Sequence, residues 1–273
     1  KTLWKTKLNG IVRVAPIITE SAVITLFADN RVIAFDINSG KRVWALNRRV
    51  PSLILHGQSD MSLFKKNRSQ DDELDSSLDE QIIVNMAGGR ILSLDPLTGS
   101  VKWESRIVFS SGTNEVERIV DLIGKPFLDK DVCTTAYQNS IVCLSPLTGE
   151  VVWKRLFKPI LPATFSSLVA VGFDSESRIT ALDRNEKKIT LWKNNDFFLR
   201  KLSAPTIWNN TVWFADHEGF IHGISVGKGK IVSRTKIDSG PLSGAIKVVK
   251  NGLIIQTSSG KLIFLTSKVE PEE

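Results

Sequence analysis

The 273-residue chain contains no apolar run near the ~18–20 residues that a membrane-crossing helix requires. Its opening, KTLWKTKLNG, has neither an apolar signal core nor a cysteine that could carry a lipid. Histidine is scarce: His56, His217 and His222 are the only three, and no acidic residues repeat beside them at ligand spacing, so no metal site is expected. Nucleophile-elbow, phosphate-loop and related catalytic motifs are missing, so the sequence points to no catalytic residue and no cofactor. The net charge of +7 could favour nucleic acid, but the Lys and Arg are scattered and form no basic arm, so no nucleic-acid partner is expected. What remains is an ordinary globular composition, 42% hydrophobic and 24% charged.

What the chain does have is a repeated phrase. LDPLTGSVKW (94–103) returns as LSPLTGEVVW (144–153). Looser copies are VIAFDINSGKRVW (32–44), ITALDRNEKKITLW (179–192), which lacks the glycine, and IHGISVGKGKIVSR (221–234), with Arg234 near the place of the tryptophan. Trp44, Trp103, Trp153 and Trp192 stand 59, 50 and 39 residues apart. A period of about 40–50 residues built from short strands marks a β-propeller.

Each unit reads as four antiparallel strands, one blade. A β-rich run leads into what reads as a two-residue turn: Asp29-Asn30, Gly88-Gly89, Gln138-Asn139, Glu218-Gly219 and Ser259-Gly260. The Asp-x-x-Thr-Gly segment forms the next turn, and its tryptophan falls on the outermost strand, where a broad ring can seal one blade against another. Trp4, Trp44, Trp103, Trp153 and Trp192 are therefore expected as blade-docking residues. A catalytic signature has no reason to recur in this way.

Five complete blades end near residues 48, 107, 157, 194 and 237, and a sixth (241–268) has three strands. The N-terminal strand KTLWKTKL could complete the sixth and close a ring. The same pattern also fits the C-terminal portion of an eight-bladed ring. The expectation is one all-β propeller domain over residues 1–268, followed by a disordered tail at 269–273.

The two cysteines are expected as free thiols. Cys143 falls in a column of small residues, Ala34, Ser93, Ala181 and Gly223. With Gln138-Asn139 as the turn, Thr134 faces Cys143 and Cys133 points to the other face, which argues against a bridge.

Two stretches interrupt the repeats. SLFKKNRSQDDELDSSLDEQ (62–81) is acidic and reads as a solvated loop. VFSSGTNEVERIVDLIGKPF (108–127) is a long link between the second and third blades. Before the first of these comes another link, VPSLILHGQSD (50–60), with more apolar residues than a turn needs.

The Asp-x-x-Thr-Gly-x-x-x-Trp phrase resembles the blade repeat of quinoprotein dehydrogenases and of the BamB family, lipoproteins of the outer-membrane β-barrel assembly machinery. The links favour BamB: VPSLILHGQSD resembles its Pro-Ser-Leu-x-Leu-Arg-Gly-x-Ser link, and SGTNEVERIVDL its Gly-Ser/Thr-x-Glu-x-x-Arg-x-x-Asp stretch. WKRLF, DNRVIAF and ADHEGFIHGIS are similar as well, so that the resemblance runs from residue 1 to about 268. It implies an eight-bladed, non-enzymatic scaffold whose two links dock on the periplasmic domains of BamA and support insertion of outer-membrane proteins, with unfolded barrel proteins as a further candidate partner.

Carried over, Leu53 and Leu55 match the family's apolar contacts and Asp121 an acidic one, while His56 and Arg118 would lie around them. His56 stands where the family has Arg, and Ile123 where it has a second Asp. The resemblance also implies the periplasm, at the inner face of the outer membrane, and a lipid anchor that this chain does not contain. The chain thus reads as a BamB shortened at its N-terminus. A quinoprotein-dehydrogenase-like, PQQ-binding propeller is the alternative, though its vicinal Cys-Cys pair has no counterpart in cysteines ten residues apart. A generic protein-binding propeller is another.

Overall fold

The computed structural model describes residues 2–51, 53–55, 59–65, 80–109, 119–186 and 189–266. These residues contain no helix; they form 23 strands in six antiparallel sheets. The chain divides into two compact units, residues 1–156 and 157–273, each with three sheets.

In the first unit, the first blade is β1 (Ile17–Ile18), β2 (Ala22–Leu26), β3 (Val32–Asp36) and β4 (Arg42–Leu46). The second is β5 (Met61–Lys65), β6 (Glu80–Met86), β7 (Arg90–Leu94) and β8 (Val101–Arg106). The third is β9 (Leu122–Leu128), β10 (Val132–Ala136), β11 (Ser140–Leu144) and β12 (Val151–Leu156). Each sheet keeps its strands in chain order, the simplest hairpin meander.

The second unit repeats the plan. Its first blade is β13 (Thr164–Phe165), β14 (Val169–Phe173), β15 (Ile179–Asp183) and β16 (Thr190–Asn194). Next come β17 (Thr206–Trp208), β18 (Thr211–Ala215), β19 (Phe220–Ser225) and β20 (Ile231–Lys236). The last sheet has three strands, β21 (Lys247–Val249), β22 (Gly252–Gln256) and β23 (Leu262–Leu265). Residues 2–8, expected to supply its fourth strand, lie outside any strand.

The core lies between blades. Successive side chains of a strand point to opposite faces. Ile82 and Val84 therefore join Ile24, Val32 and Ala34 on one side, while Ile83 joins Val132 and Val142 on the other. The inner strands are buried on both faces, which is why they read as continuous apolar runs such as SIVCL rather than as alternating ones.

The repeated phrase works at the blade edge. The indole N–H of Trp44 donates to the carbonyl of Pro96 (3.1 Å), and that of Trp103 to Pro146 (2.8 Å), each in the Thr-Gly turn of the following blade. Trp4 donates to Ile37 (2.7 Å) and Trp192 to Val226 (2.6 Å) in the same manner. A Cβ on Gly99 would lie 2.5 Å from the Trp44 ring, and one on Gly149 equally close to Trp103, so glycine is the residue that lets the ring lie flat on the turn. The turn is tied by its own side chain: Asp95 accepts from the backbone N–H of Leu97 and Thr98 at 2.9 and 2.8 Å. Trp153 is buried, but its indole nitrogen has no hydrogen-bond partner among the described residues.

Directly opposite each tryptophan stands the small column: Ala34, Ser93, Cys143 and Ala181. Gly223 faces Ser233, one residue before the expected Arg234. In all five blades the register shifts immediately after this pair. Such a bulge adds twist to the outer strand.

Three further sequence expectations are corrected. The five turns read as two-residue loops are three-residue loops, for Met86 pairs with Arg90 and Ala136 with Ser140. The added residue moves the register of β10 by one. Cys133, not Thr134, therefore faces Cys143, and the two form a disulfide with Cα atoms 4.0 Å apart. The cysteines are not free. The acidic interruption is also shorter than read: residues 62–65 and 80–81 belong to the paired strands β5 and β6. The expectation of a solvated loop falls on 66–79, outside the described residues, and the expected tail (269–273) lies outside them too.

Candidate functional site

Both links leave the outer strand of one blade and enter the first strand of the next, so the topology delivers them to one rim of the first unit. They meet around the turn Ala87-Gly88-Gly89 at the tip of the β6–β7 hairpin. A Cβ on Gly88 would touch Pro51 of the first link at 3.0 Å. A Cβ on Gly89 would meet the carbonyl oxygens of Val108 and Val120, in the second link, at 2.7 and 2.9 Å. The two glycines let both links close on this turn. Asn30 extends the contact to the first blade, its amide exchanging hydrogen bonds with the backbone of Ala87 (3.3 and 3.4 Å).

Asp121 fastens the arrangement. Its Oδ2 accepts the backbone N–H of Leu55 (2.5 Å) and its Oδ1 that of Gly88 (2.8 Å), while its carbonyl accepts from Tyr137 in the next blade's turn (2.9 Å). The residue is 1% exposed. Burial pushes its carboxyl above the ordinary range, and the two N–H donors partly offset that. Asp121 is thus a support beneath the surface, at the position where the family resemblance implies an acidic contact. Deeper still, Asn85 donates to the carbonyl of Gly124 (2.9 Å) and accepts from Thr134 (2.9 Å), and Ser59 pairs with Gly124.

The support leaves apolar groups facing outward. Leu53 is 39% exposed and Val50 is similar. Leu55 is half-buried and lines a shallow recess with Arg13, Leu26, Phe27 and Ile54. Across the Gly88-Gly89 turn, Phe109 is 67% exposed, with the Arg106 guanidinium 4.8 Å from its ring centroid. His56 and Arg118 lie outside the described residues. The sequence reading missed Pro51, Gly88, Gly89 and Asn30 as parts of this site. Gly88-Gly89 was visible only as a turn, and nothing local marks which segments a turn will touch. Among the described residues no group of three His, Cys, Asp or Glu could hold a metal ion.

This arrangement suits binding: an apolar strip over a braced backbone presents contact area. Known proteins of the same kind are consistent with the plan. A family model described as outer membrane protein assembly factor BamB matches residues 1–194. The chain is 25% identical over 267 residues to the assembly factor BamB of Bordetella pertussis, covering 97% of this chain and 65% of that protein. It is 28% identical over 261 residues to that of Burkholderia pseudomallei, covering 95% and 65%. The chain thus spans about two thirds of the length of these curated relatives. In fold it is similar to the crystal structure of BamB from Moraxella catarrhalis, with a TM-score of 0.81 at 23% identity, over 97% of this chain and 75% of that one. The sheets are therefore propeller blades, and the chain belongs to the BamB family of outer membrane protein assembly factors.

Proposed function

We propose that this chain acts as a non-enzymatic scaffold in outer-membrane protein assembly, docking on the periplasmic domains of BamA through the two links. The observation that carries the reading is the convergence of both links on the Gly88-Gly89 turn, with Leu53 facing solvent over a backbone pinned by Asp121. Interfaces draw most of their energy from a few apolar residues in a pre-organised surround, and a braced loop loses little entropy on binding. Leu53 and Leu55 form the apolar centre of the patch and Asp121 acts from below; His56 and Arg118 are assigned the polar contacts to the partner. Unfolded barrel proteins are a second class of partner for the same scaffold. The compartment is the periplasm, at the inner face of the outer membrane. The Cys133–Cys143 disulfide supports this, since such bonds persist in oxidising compartments.

A pull-down with purified BamA periplasmic domains tests the docking. Leu53→Ser, a change at an exposed position, should abolish capture while the melting curve stays within a degree or two of the parent's. Leu53→Ser with Leu55→Ser should do the same with a small loss of stability, because Leu55 is half-buried. A folded double variant that binds with unchanged affinity removes the patch from the interface.

A further inference from the structure

Cys133 on β10 and Cys143 on β11 are cross-strand partners on the two inner strands of the third blade. Their exposures are 0% and 1%. They belong to a row that crosses the whole sheet, Phe127–Cys133–Cys143–Trp153. In three other blades the two central places of this row hold a branched aliphatic facing a small residue, Ile24 with Ala34, Ile83 with Ser93 and Val171 with Ala181, and in a fourth Trp213 faces Gly223. The third blade substitutes a covalent bond for that contact. It does so in the row of Trp153, the blade-edge tryptophan whose indole nitrogen has no acceptor among the described residues. Trp4, Trp44, Trp103 and Trp192 are each fixed by a hydrogen bond to a turn carbonyl.

We propose that Cys133 and Cys143 are a modification site for an external disulfide, which oxidises them in the open chain before the third blade is packed into the folded first unit. The bridge then fixes the row that carries Trp153. The chemistry is two thiol–disulfide exchanges. One cysteine thiolate attacks the external disulfide, forming a mixed disulfide and expelling one thiol. The second cysteine attacks the protein sulfur of that mixed disulfide, closing the bridge and expelling the other. The cysteine pair gives up two electrons and two protons; the external disulfide gains them and ends as two thiols. Burial dictates the order. A sulfur with no exposed surface cannot be reached by another molecule, whereas the β10–β11 hairpin, closed by only three loop residues, sets the two cysteines side by side without help from the rest of the fold. The proposal does not depend on docking to BamA.

The test uses oxidised glutathione as the external disulfide and the full 273-residue chain. Reduced, unfolded chain is diluted into native buffer either with oxidised glutathione present from the start or with it added after refolding. The bridge is scored by the mass of the denatured, alkylated protein. Oxidation should be complete in the first arm and at least about tenfold slower in the second, where it must wait for the blade to open. A reduced chain that cannot fold supports the same order. In Cys143→Ser, Cys133 should stop at the glutathione mixed disulfide when oxidised unfolded. The double change Cys133→Val with Cys143→Ala copies the Val171–Ala181 pair and should fold without oxidant. Equal oxidation rates in the two arms when circular dichroism shows that the reduced chain had refolded before the second addition, or two alkylatable thiols in the chain isolated from an oxidising compartment, would overturn the proposal.

Discussion

The carboxylate of Asp121 lies 2.5 Å from the backbone nitrogen of Leu55, sixty-six residues away in the chain. Together with its bond to Gly88, this contact makes one buried side chain responsible for the path of the first link. Asp121→Ala leaves two backbone donors without their acceptor. Each orphaned buried donor costs about 1–3 kcal/mol. Hydrogen exchange at the amides of Leu55 and Gly88 should accelerate, and BamA capture should weaken even though no surface group has changed. Exchange at both amides that stays at the parental rate would show that the link is held by something else.

The tryptophans separate into two kinds. Replacing Trp103 by Ala should cost about 3–5 kcal/mol, as for any large buried aromatic. Replacement by Phe is more telling. Trp103→Phe keeps most of the apolar contact but removes the bond to Pro146, a net loss near 1 kcal/mol. Trp153→Phe removes a nitrogen that has no partner among the described residues, so it should cost less than Trp103→Phe or even stabilise. Chemical denaturation of the two variants side by side measures the difference.

Gly149 is required twice over. Its φ of +72° is one that side chains resist, and a Cβ there would enter the Trp103 ring. Gly149→Ala should destabilise by at least ~1–2 kcal/mol from the backbone alone. Gly227, where a Cβ would meet nothing within 4 Å, is the control and should tolerate alanine. Equal melting temperatures for the two variants would remove the glycine from the docking account.

Acid should weaken the second unit. There His222 Nε2 lies 2.8 Å from Asp216 Oδ2, both side chains buried, with Arg200 on the same oxygen at 2.7 Å. Burial holds the His222 pKa below its usual value, against the pull of Asp216. The unfolded chain therefore takes up this proton first, and stability falls as pH drops below about 6.5. Burial pushes Asp216 up, but His222, the Phe220 N–H and Arg200 outweigh it, so its carboxyl sits below the ordinary value. Its contribution is present above the unfolded value near 3.8 and is lost as pH falls through the folded one. Melting temperature should thus decline from pH 7 to pH 4. His222→Gln, which can still donate to Asp216 but does not titrate, should flatten the upper part of that decline. An unchanged slope would place the acid sensitivity elsewhere.

The sequence by itself determined the repeat, and with it the blade. Asp95, Thr98, Gly99 and Trp103 act within one hairpin or against the next copy of the same phrase, so their spacing carries the geometry. The two links were legible as departures from that repeat. Register was not. Strands buried on both faces lack the polar–apolar alternation that fixes phase, and Gln138-Asn139 suits a two-residue loop as well as a three-residue one. That single residue decided between free thiols and the Cys133–Cys143 bridge. The role of Asp121 was not legible either. A carboxylate in a polar link reads as surface, and only the folded chain brings it the N–H groups of Leu55 and Gly88, from segments that no local pattern connects to it. Local hydrogen bonds and side-chain periodicity are written along the chain, whereas burial and cross-strand partnership exist only after distant segments have met.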